Sequence, residues 1–566
     1  MSSNDETKPS EQPGGEYDDA EKNYQPRSPK FWLILLGMYL SIFLVAIDRT
    51  IIATAIPSIS NEFHSIKDIG WYGSAYMLTG ASFNPIFGRI YQVYSTKWTF
   101  ISSIVVFEVG SAVCGAAPSS IAFIIGRAIA GLGSAGIFSG GMMVIIPLIP
   151  LRKRPMFISI FGMTFAVSSV IAPIIGGAFT DNVTWRWCFY LNLPIGGFTI
   201  IAVLLFFHVP SPRREQRGVK AHIMRLDPFG VLLIVPSMVC LILALEWGGT
   251  TYPWSAPKMI GLLVTFAVLL VAFAVLETLT PETAMMPTRV ILNRSVAGSM
   301  VFVFLIVAAM MSIVYYINMW FQVVKGDSAI RAGLSTIPMV LSLVIVGILS
   351  SAVTQRIGYY VPSMLVAPVM SSVGAGLLST LTPSSNHSYW IGYQVVFGLG
   401  IGCGFSTSNL AVQTVLPRAD VPIGMALMFF MQQLGGAVFL AVDENLVSTN
   451  LVKRLSHVQG LDVHMIVDTG ATDLRHLVPS SELQTVVEAY NYALTRIFIL
   501  AAAVAASCIL GALVVEWRSI KARDQKDTPS KVPDDNGSEI EMVQNLGNDD
   551  KPQPAKGNAQ SEKLEV

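Results

Sequence analysis

Ionisable residues stand inside three largely apolar stretches: Asp48, beside Arg49, in Phe31–Pro57, Glu108 in Trp98–Ala117 and Arg127 in Ile121–Leu148. A charge in hydrocarbon costs several kcal/mol unless it pairs, faces water or is neutralised. The chemistry open to such groups is proton uptake and release, because an acid that changes protonation state changes which helix arrangement it favours. Two readings stand for Asp48: a proton- or cation-responsive site on a pathway, or a structural ion pair with its neighbour Arg49. Arg127 reads either as a proton-linked group that tunes Asp48 from the facing helix or as a structural hydrogen-bond hub. Glu108 reads either as protonated and inert or as part of a network with Arg127.

Other chemistries lack their residues. There is no Gly-x-x-x-x-Gly-Lys-Ser/Thr loop for ATP, no His-Glu-x-x-His for a catalytic metal and no nucleophile elbow. The expectation is therefore a chain that is not an enzyme and uses no cofactor or metal. Cys114, Cys188, Cys240, Cys403 and Cys508 lie in or beside apolar segments without ligand spacing, as buried thiols do. Net charge is zero, which gives no electrostatic case for nucleic acid.

The elements that must position these residues are membrane spans. The chain is 52% hydrophobic and 13% charged, against roughly a quarter charged for a soluble chain. Apolar segments long enough to cross a bilayer lie at Phe31–Pro57, Ile69–Tyr94, Trp98–Ala117, Ile121–Leu148, Pro155–Thr180, Cys188–Val209, Phe229–Trp247 and Met259–Leu279. The series continues at Val296–Gln322, Ala332–Val353, Val361–Leu381, Tyr389–Leu416, Ile423–Val447 and Ala493–Val515. That makes about fourteen helices, since helices alone satisfy the backbone at such lengths in lipid. Arg152, Lys153, Arg154, Arg213, Arg214, Arg217, Lys220, Arg289, Arg294, Arg356 and Arg418 all fall in alternate loops, which predicts that both termini are cytosolic. No secretory signal stands at the start, so the first span is expected to act as the uncleaved targeting signal. Residues 1–27 and 517–566 are too polar to form a core and read as disordered cytosolic tails. The loop 448–491 falls outside; Ser481 with Gln484 predicts a short helix over Ser480–Tyr492 leading into the last span. The sequons Asn182 and Asn386 also fall outside and are candidates for glycosylation.

The sequence also repeats itself. Gly131-Leu132-Gly133 with Phe138-Ser139 returns as Gly398-Leu399-Gly400 with Phe405-Ser406, Arg127 corresponds to Gln394, and Pro150 and Pro417 keep one offset. This is the pattern of a transporter built from two homologous halves. It predicts a six-helix bundle over 28–210, a loop and two linker helices over 211–295, and a second six-helix bundle over 296–516. The glycines Gly131, Gly133, Gly136 and Gly140 are expected to let helices pack closely.

These residues resemble the major facilitator superfamily, in its fourteen-span drug:proton antiporter branch. Ala46-Ile47-Asp48-Arg49-Thr50-Ile51-Ile52 with Ala55-Ile56-Pro57 is similar to the branch's first-span motif, and Arg127 with Gly131 and Gly133 to the Arg-x-x-x-Gly-x-Gly motif. Ala172-Pro173-Ile174-Ile175-Gly176-Gly177 resembles the antiporter motif with Ala172 in place of its first glycine. Trp185-Arg186-Trp187 leading to Asn192-Leu193-Pro194-Ile195-Gly196 resembles a segment typical of fourteen-span members. The texture of Trp71–Thr79 and Phe107–Ser111 is closest to filamentous-fungal toxin efflux pumps.

The resemblance implies an all-α integral membrane protein of the major facilitator fold, with Asp48, Arg127 and Glu108 in proton coupling. Arg89 and Lys97 would serve at the gate between spans two and three. There Gln92 stands where the superfamily usually has an acid, which puts the charge-locked form of that gate in doubt; Arg356-Ile357-Gly358 reads as its degenerate second copy. Pro173, Gly176 and Gly177 would bend and thin span five. The implied function is proton-coupled efflux of small, largely apolar molecules (a toxin, secondary metabolite or drug) by a monomer in the cell membrane, with the bilayer and protons as partners. Uptake of siderophores, vacuolar transport of basic amino acids, or a non-transporting nutrient sensor are the alternatives. Tyr315, Tyr316, Asn318, Gln413, Gln432 and Gln433 are candidates to line the substrate cavity.

Overall fold

Backbone groups in hydrocarbon must bond within their own segment, and the described residues form fourteen long helices. The first six are α1 Pro29–Phe63, α2 Ile69–Val93, α3 Thr96–Gly115, α4 Ser120–Leu148, α5 Arg154–Asn182 and α6 Asn192–Phe206. A hairpin of α7 Pro228–Trp247 and α8 Pro257–Leu279 follows. The last six are α9 Arg294–Trp320, α10 Ile337–Ile357, α11 Val361–Leu378, α12 His387–Gly404 (continued by Thr407–Val415), α13 Val421–Leu455 and α14 Leu483–Val514. The computed structural model describes residues 20–64, 68–207, 224–249, 252–281, 283–456, 482–521, 530–533 and 539–542.

One expectation at the carboxyl-terminal end needs correcting. Leu483–Val514 is one continuous helix rather than a short helix followed by a span, and Ser481, the expected cap, lies outside the described residues. Ser530–Pro533 pairs with Glu539–Met542 as a short antiparallel ladder.

Among the described residues, twelve of the helical spans are long and apolar enough by themselves to cross a membrane. The two that fall short, α2 and α5, lie where the halves meet: α2 packs on α13 and α5 on α10. A helix facing a partner bundle and a cavity has no need of an all-round apolar surface, so its sequence is more polar. The start of the first helix and the end of the last lie on one face of the bundle, called here the terminal face. Asn23 Nδ2 donates to Pro147 O at 3.2 Å, Arg294 Nε to Val514 O at 2.7 Å and Tyr360 Oη to Glu516 O at 3.0 Å. On the opposite face Arg186 pairs with Glu62 at 2.6 Å, and Trp320 Nε1 donates to Asn491 Oδ1 at 2.8 Å.

The repeat in the sequence is a repeat of packing. An added Cβ on Gly131 of α4 would lie 2.3 Å from Tyr76 O on α2; on Gly398 of α12 it would lie 2.4 Å from Met339 O on α10. Gly133 is pressed likewise on Phe107 N of α3 at 2.4 Å, and Gly400 on Ser371 N of α11 at 2.2 Å. Arg127 Nε donates to Tyr72 O at 2.8 Å and Gln394 Nε2 to Ser335 O at 3.1 Å, each carbonyl one turn ahead of the glycine's contact. The hairpin α7–α8 stands outside this symmetry. It attaches through α7, where Trp247 meets Trp71 of α2 edge-on at 6.0 Å and Asn445 of α13 donates to Gly248 O at 3.0 Å.

Candidate functional site: a buried ion pair beside a cavity between the halves

Asp48 and Arg127 find each other. Arg127 Nη1 lies 2.5 Å from Asp48 Oδ2, and the side chains are 1% and 0% exposed. The alternative pairing of Asp48 with Arg49 does not occur. Successive helical residues point about 100° apart, so Asp48 turns into the first bundle while Arg49 turns toward the second, where its Nη1 donates to Gln433 Oε1 at 2.7 Å. The guanidinium of Arg127 is held from three sides: Tyr72 O accepts from Nε, Asp48 accepts from Nη1, and the Tyr76 ring lies 4.4 Å from its carbon. Only a planar fork of donors can serve the first two at once.

Asn192 completes the arrangement. Its Nδ2 lies 3.3 Å from Asp48 Oδ1 and 3.0 Å from Ser111 Oγ, while its Oδ1 is buried without a hydrogen-bond partner. Glu108, one turn before Ser111, is 8% exposed, and neither of its carboxyl oxygens has a hydrogen-bond partner. It does not bond Arg127; it lies against Gly196, where a Cβ would stand 1.8 Å from Glu108 Oε1. The segment Asn192–Gly196 therefore makes a bond to one acid and leaves room for the other. Sequence reading quoted that segment without giving Asn192 or Gly196 a role; the signal was an amide at a helix start facing an acid five spans away.

An inner cavity of about 490 Å³ lies between the halves. Arg49, Asn84, Gln432 and Gln433 supply its polar groups. Phe138, Phe161 and Phe429, from α4, α5 and α13, meet at centroid distances of 5.7, 5.8 and 5.8 Å on its terminal side. A second cavity of about 690 Å³ shares Arg49 and Gln433 and is bounded by Met77, Ile242 and Glu444. Of the six residues expected around a cavity, Gln432 and Gln433 line these spaces. Tyr316 is buried but lines neither, and Tyr315 beside it is 61% exposed. Asn318 bonds within its own helix to Val314 O at 2.9 Å. Gln413 is at the terminal face, accepting from Arg154 Nη1 at 3.2 Å. Asn84 and Arg49 were missed because their neighbours in sequence are apolar or already paired.

On the terminal face the halves touch. A Cβ on Gly88 would fall 2.4 Å from Ala426 Cβ, and Gln92 Nε2 donates to Ala419 O at 3.0 Å. Arg89 donates to Gln92 Oε1 and, at 2.8 Å, to Arg225 O, so the amide takes up a position between Arg89 and the second half. Lys97 Nζ donates to Leu204 O at 2.7 Å, within the first half. An ion pair of Arg289 with Asp420 at 2.9 Å ties the linker segment to the second half. Deeper in, Ser159 Oγ bonds Ser351 Oγ and, at 3.2 Å, Gly347 O of α10. Gly176 makes room for Thr54 of α1, 2.1 Å from where its Cβ would be, while Gly177 faces open space. Pro173 falls within helix α5, and its side chain lies outside the described residues. Asn182 and Asn386 are both exposed, on the face opposite the termini.

Residues 38–440 match the Major Facilitator Superfamily. The chain belongs to that superfamily. As a superfamily member it is a multi-pass membrane transporter rather than an enzyme. It is 47% identical to the MFS-type efflux pump MFS1 of Arthroderma benhamiae over 87% of this chain and 92% of that one. It is 44% identical to the efflux pump aflT of Aspergillus parasiticus, over 89% and 98% of the two chains. With the efflux pump roqT of Penicillium rubens it shares 41% identity over 88% and 92%. A solved structure of a double-tryptophan mutant of XylE superposes with a TM-score of 0.55 at 13% identity, covering 88% of this chain and 99% of that one, which shows the shared fold.

Proposed function

We propose that the chain is a proton-driven exporter of small, largely apolar molecules, working as a monomer in the plasma membrane with its terminal face toward the cytosol. The relatives named efflux pumps, similar over nearly their whole length, support export. The excess of Arg and Lys in the loops of the terminal face supports the orientation. One observation carries proton coupling: two acids, Asp48 and Glu108, share a buried site with a single guanidinium, Arg127. With both acids ionised the cluster has one negative charge in excess, and one bound proton makes it neutral. A site in low dielectric that is neutral with one proton and charged without it is a switch between arrangements that shield it differently.

Alternating access then needs the halves to part at one face while closing at the other. The structure is joined on the terminal face from Gly88–Ala426 to the three phenylalanines, with the cavities on the other side of that seal. The test is export in inside-out vesicles holding the purified chain. Accumulation of an apolar fluorescent dye should follow an imposed proton gradient and stop when a protonophore collapses it. Accumulation that survives the protonophore unchanged would sink proton coupling; release instead of accumulation would favour uptake.

A further inference from the structure

The linker hairpin helps to enclose a cavity between the halves. The second cavity, of about 690 Å³, has three main walls, each a helix face at helical spacing. Met77 and Ala81 come from α2, Leu440 and Ala441 from α13, and Ile242 and Leu245 from α7. Burial along α7 marks the same face: Ile234, Met238 and Ile242 are buried, whereas Leu232 on the other side of the helix is 68% exposed. Helix α8 packs against α7, where Ser237 Oγ donates to Phe266 O at 3.1 Å, and leaves Ile260, Val264, Val268, Val271 and Val275 exposed. Among the described residues, α7 and not α8 therefore supplies the wall between this space and the surrounding lipid.

The place of this cavity along the molecule gives the wall its use. Arg49 and Gln433 line both cavities, so the 2.7 Å bond between them lies at the partition. The second cavity lies toward the face opposite the termini. There α7 ends at Trp247, against Trp71 at the start of α2, and Asn445 of α13 bonds the hairpin tip, donating to Gly248 O and accepting from Trp254 Nε1, each at 3.0 Å. A molecule that leaves the inner cavity toward that face comes up against α7. Ile242 and Leu245 take up volume and offer no hydrogen bond, so they discriminate by size and shape. We propose that α7 is part of the transport pathway: Ile242 and Leu245 form one wall of an exit chamber for apolar molecules, and their bulk sets the size of molecule that passes. The direction of travel rests on the export reading; the chamber itself does not.

The test has two arms, both on the full-length chain in lipid vesicles. In the first, single cysteines replace Leu232, Ile242 or Leu245 in a Cys240→Ser background, and a membrane-impermeant maleimide is supplied on both sides. A thiolate is the reacting species and does not form in hydrocarbon, so Ile242→Cys and Leu245→Cys should label at least about tenfold faster than Leu232→Cys. Acetylpyrene, an uncharged flat probe, should slow that labelling about threefold or more. In the second arm, Ile242→Trp and Leu245→Trp should cut export of acetylpyrene about tenfold and of the smaller acetylnaphthalene less than about twofold, while Leu232→Trp leaves both unchanged. Ile242→Ala and Leu245→Ala, which serve if the tryptophan variants do not fold, should raise acetylpyrene export relative to acetylnaphthalene. Equal labelling at the three positions, or labelling that acetylpyrene does not slow, overturns the chamber; equal effects on both dyes overturn selection by size. Labelling and protection as expected without proton-driven export sink the export reading and leave the chamber standing, whereas export with equal labelling at the three positions does the reverse.

Discussion

At the residue scale, Arg127 is fixed by geometry as much as by charge. It serves Tyr72 O and Asp48 through different nitrogens, 2.8 and 2.5 Å away, while lying on the Tyr76 ring. Lysine has one terminal nitrogen and cannot do both, so Arg127→Lys should be as inactive as Arg127→Ala in gradient-driven export. Arg127→Ala leaves Asp48 buried without its cation, at a cost of about 3–5 kcal/mol; adding Asp48→Asn should recover part of that loss, read by thermal unfolding of the purified protein. Asp48→Asn alone should abolish export against a gradient. Glu108→Gln differs in kind, because Glu108 makes no hydrogen bond that the change would break. It should leave the unfolding temperature at or above that of the parent, allow substrate to equilibrate across the membrane and remove accumulation driven by the proton gradient. Full accumulation by Glu108→Gln would assign the proton to Asp48 alone. Asp48 and Arg127 were legible in sequence because charges stand out in apolar runs. Asn192 was not, because an amide at a helix start has many local uses. Tyr315 and Tyr316 show the general limit: in a span apolar all round, nothing in the sequence says which of two adjacent rings faces lipid.

At the element scale, the glycines are where helices touch backbone to backbone. Gly133 and Gly400 hold equivalent positions in the two halves, each with less than 2.5 Å between an added Cβ and a backbone nitrogen of the neighbouring helix. Neither neighbour can yield by turning a side chain, so Gly133→Ala and Gly400→Ala should each destabilise by about 1–3 kcal/mol, the usual range for overpacking. Gly197, adjacent to Gly196 but facing open space, is the control: Gly197→Ala should unfold at the temperature of the parent. A size-exclusion trace of fluorescently tagged variants reads this directly, and a clear difference between the two halves would show that the repeat in sequence is not a repeat in packing load. Helix count and approximate bounds were readable because length and apolarity set them. The continuous Leu483–Val514 was not, because its polar first turns look like a separate element until α14 is seen to project beyond the apolar zone.

At the scale of the whole molecule, sidedness and motion are the open quantities. Reporter fusions at Lys220, Arg418 and the carboxyl terminus should report cytosol, and one at Gly470 should report the outside; an extracellular carboxyl terminus would contradict an even number of spans. The motion has a sharper test. Ser159 of α5 and Ser351 of α10 bond across the seal, with both side chains buried. Export by alternating access requires that contact to break in every cycle, since the cavity must open to the terminal face to load. Cysteines at the two positions, in a Cys240→Ser background that removes the one native thiol not fully buried, should therefore form a disulfide under mild oxidation. The linked protein should stop transporting and recover on reduction, while either single cysteine variant should be insensitive to the same treatment. A linked protein that exports at the parent rate would mean that the terminal face does not open between α5 and α10. The path for substrate would then have to run through the other seam, between α2 and α13, where Gly88 lies against Ala426.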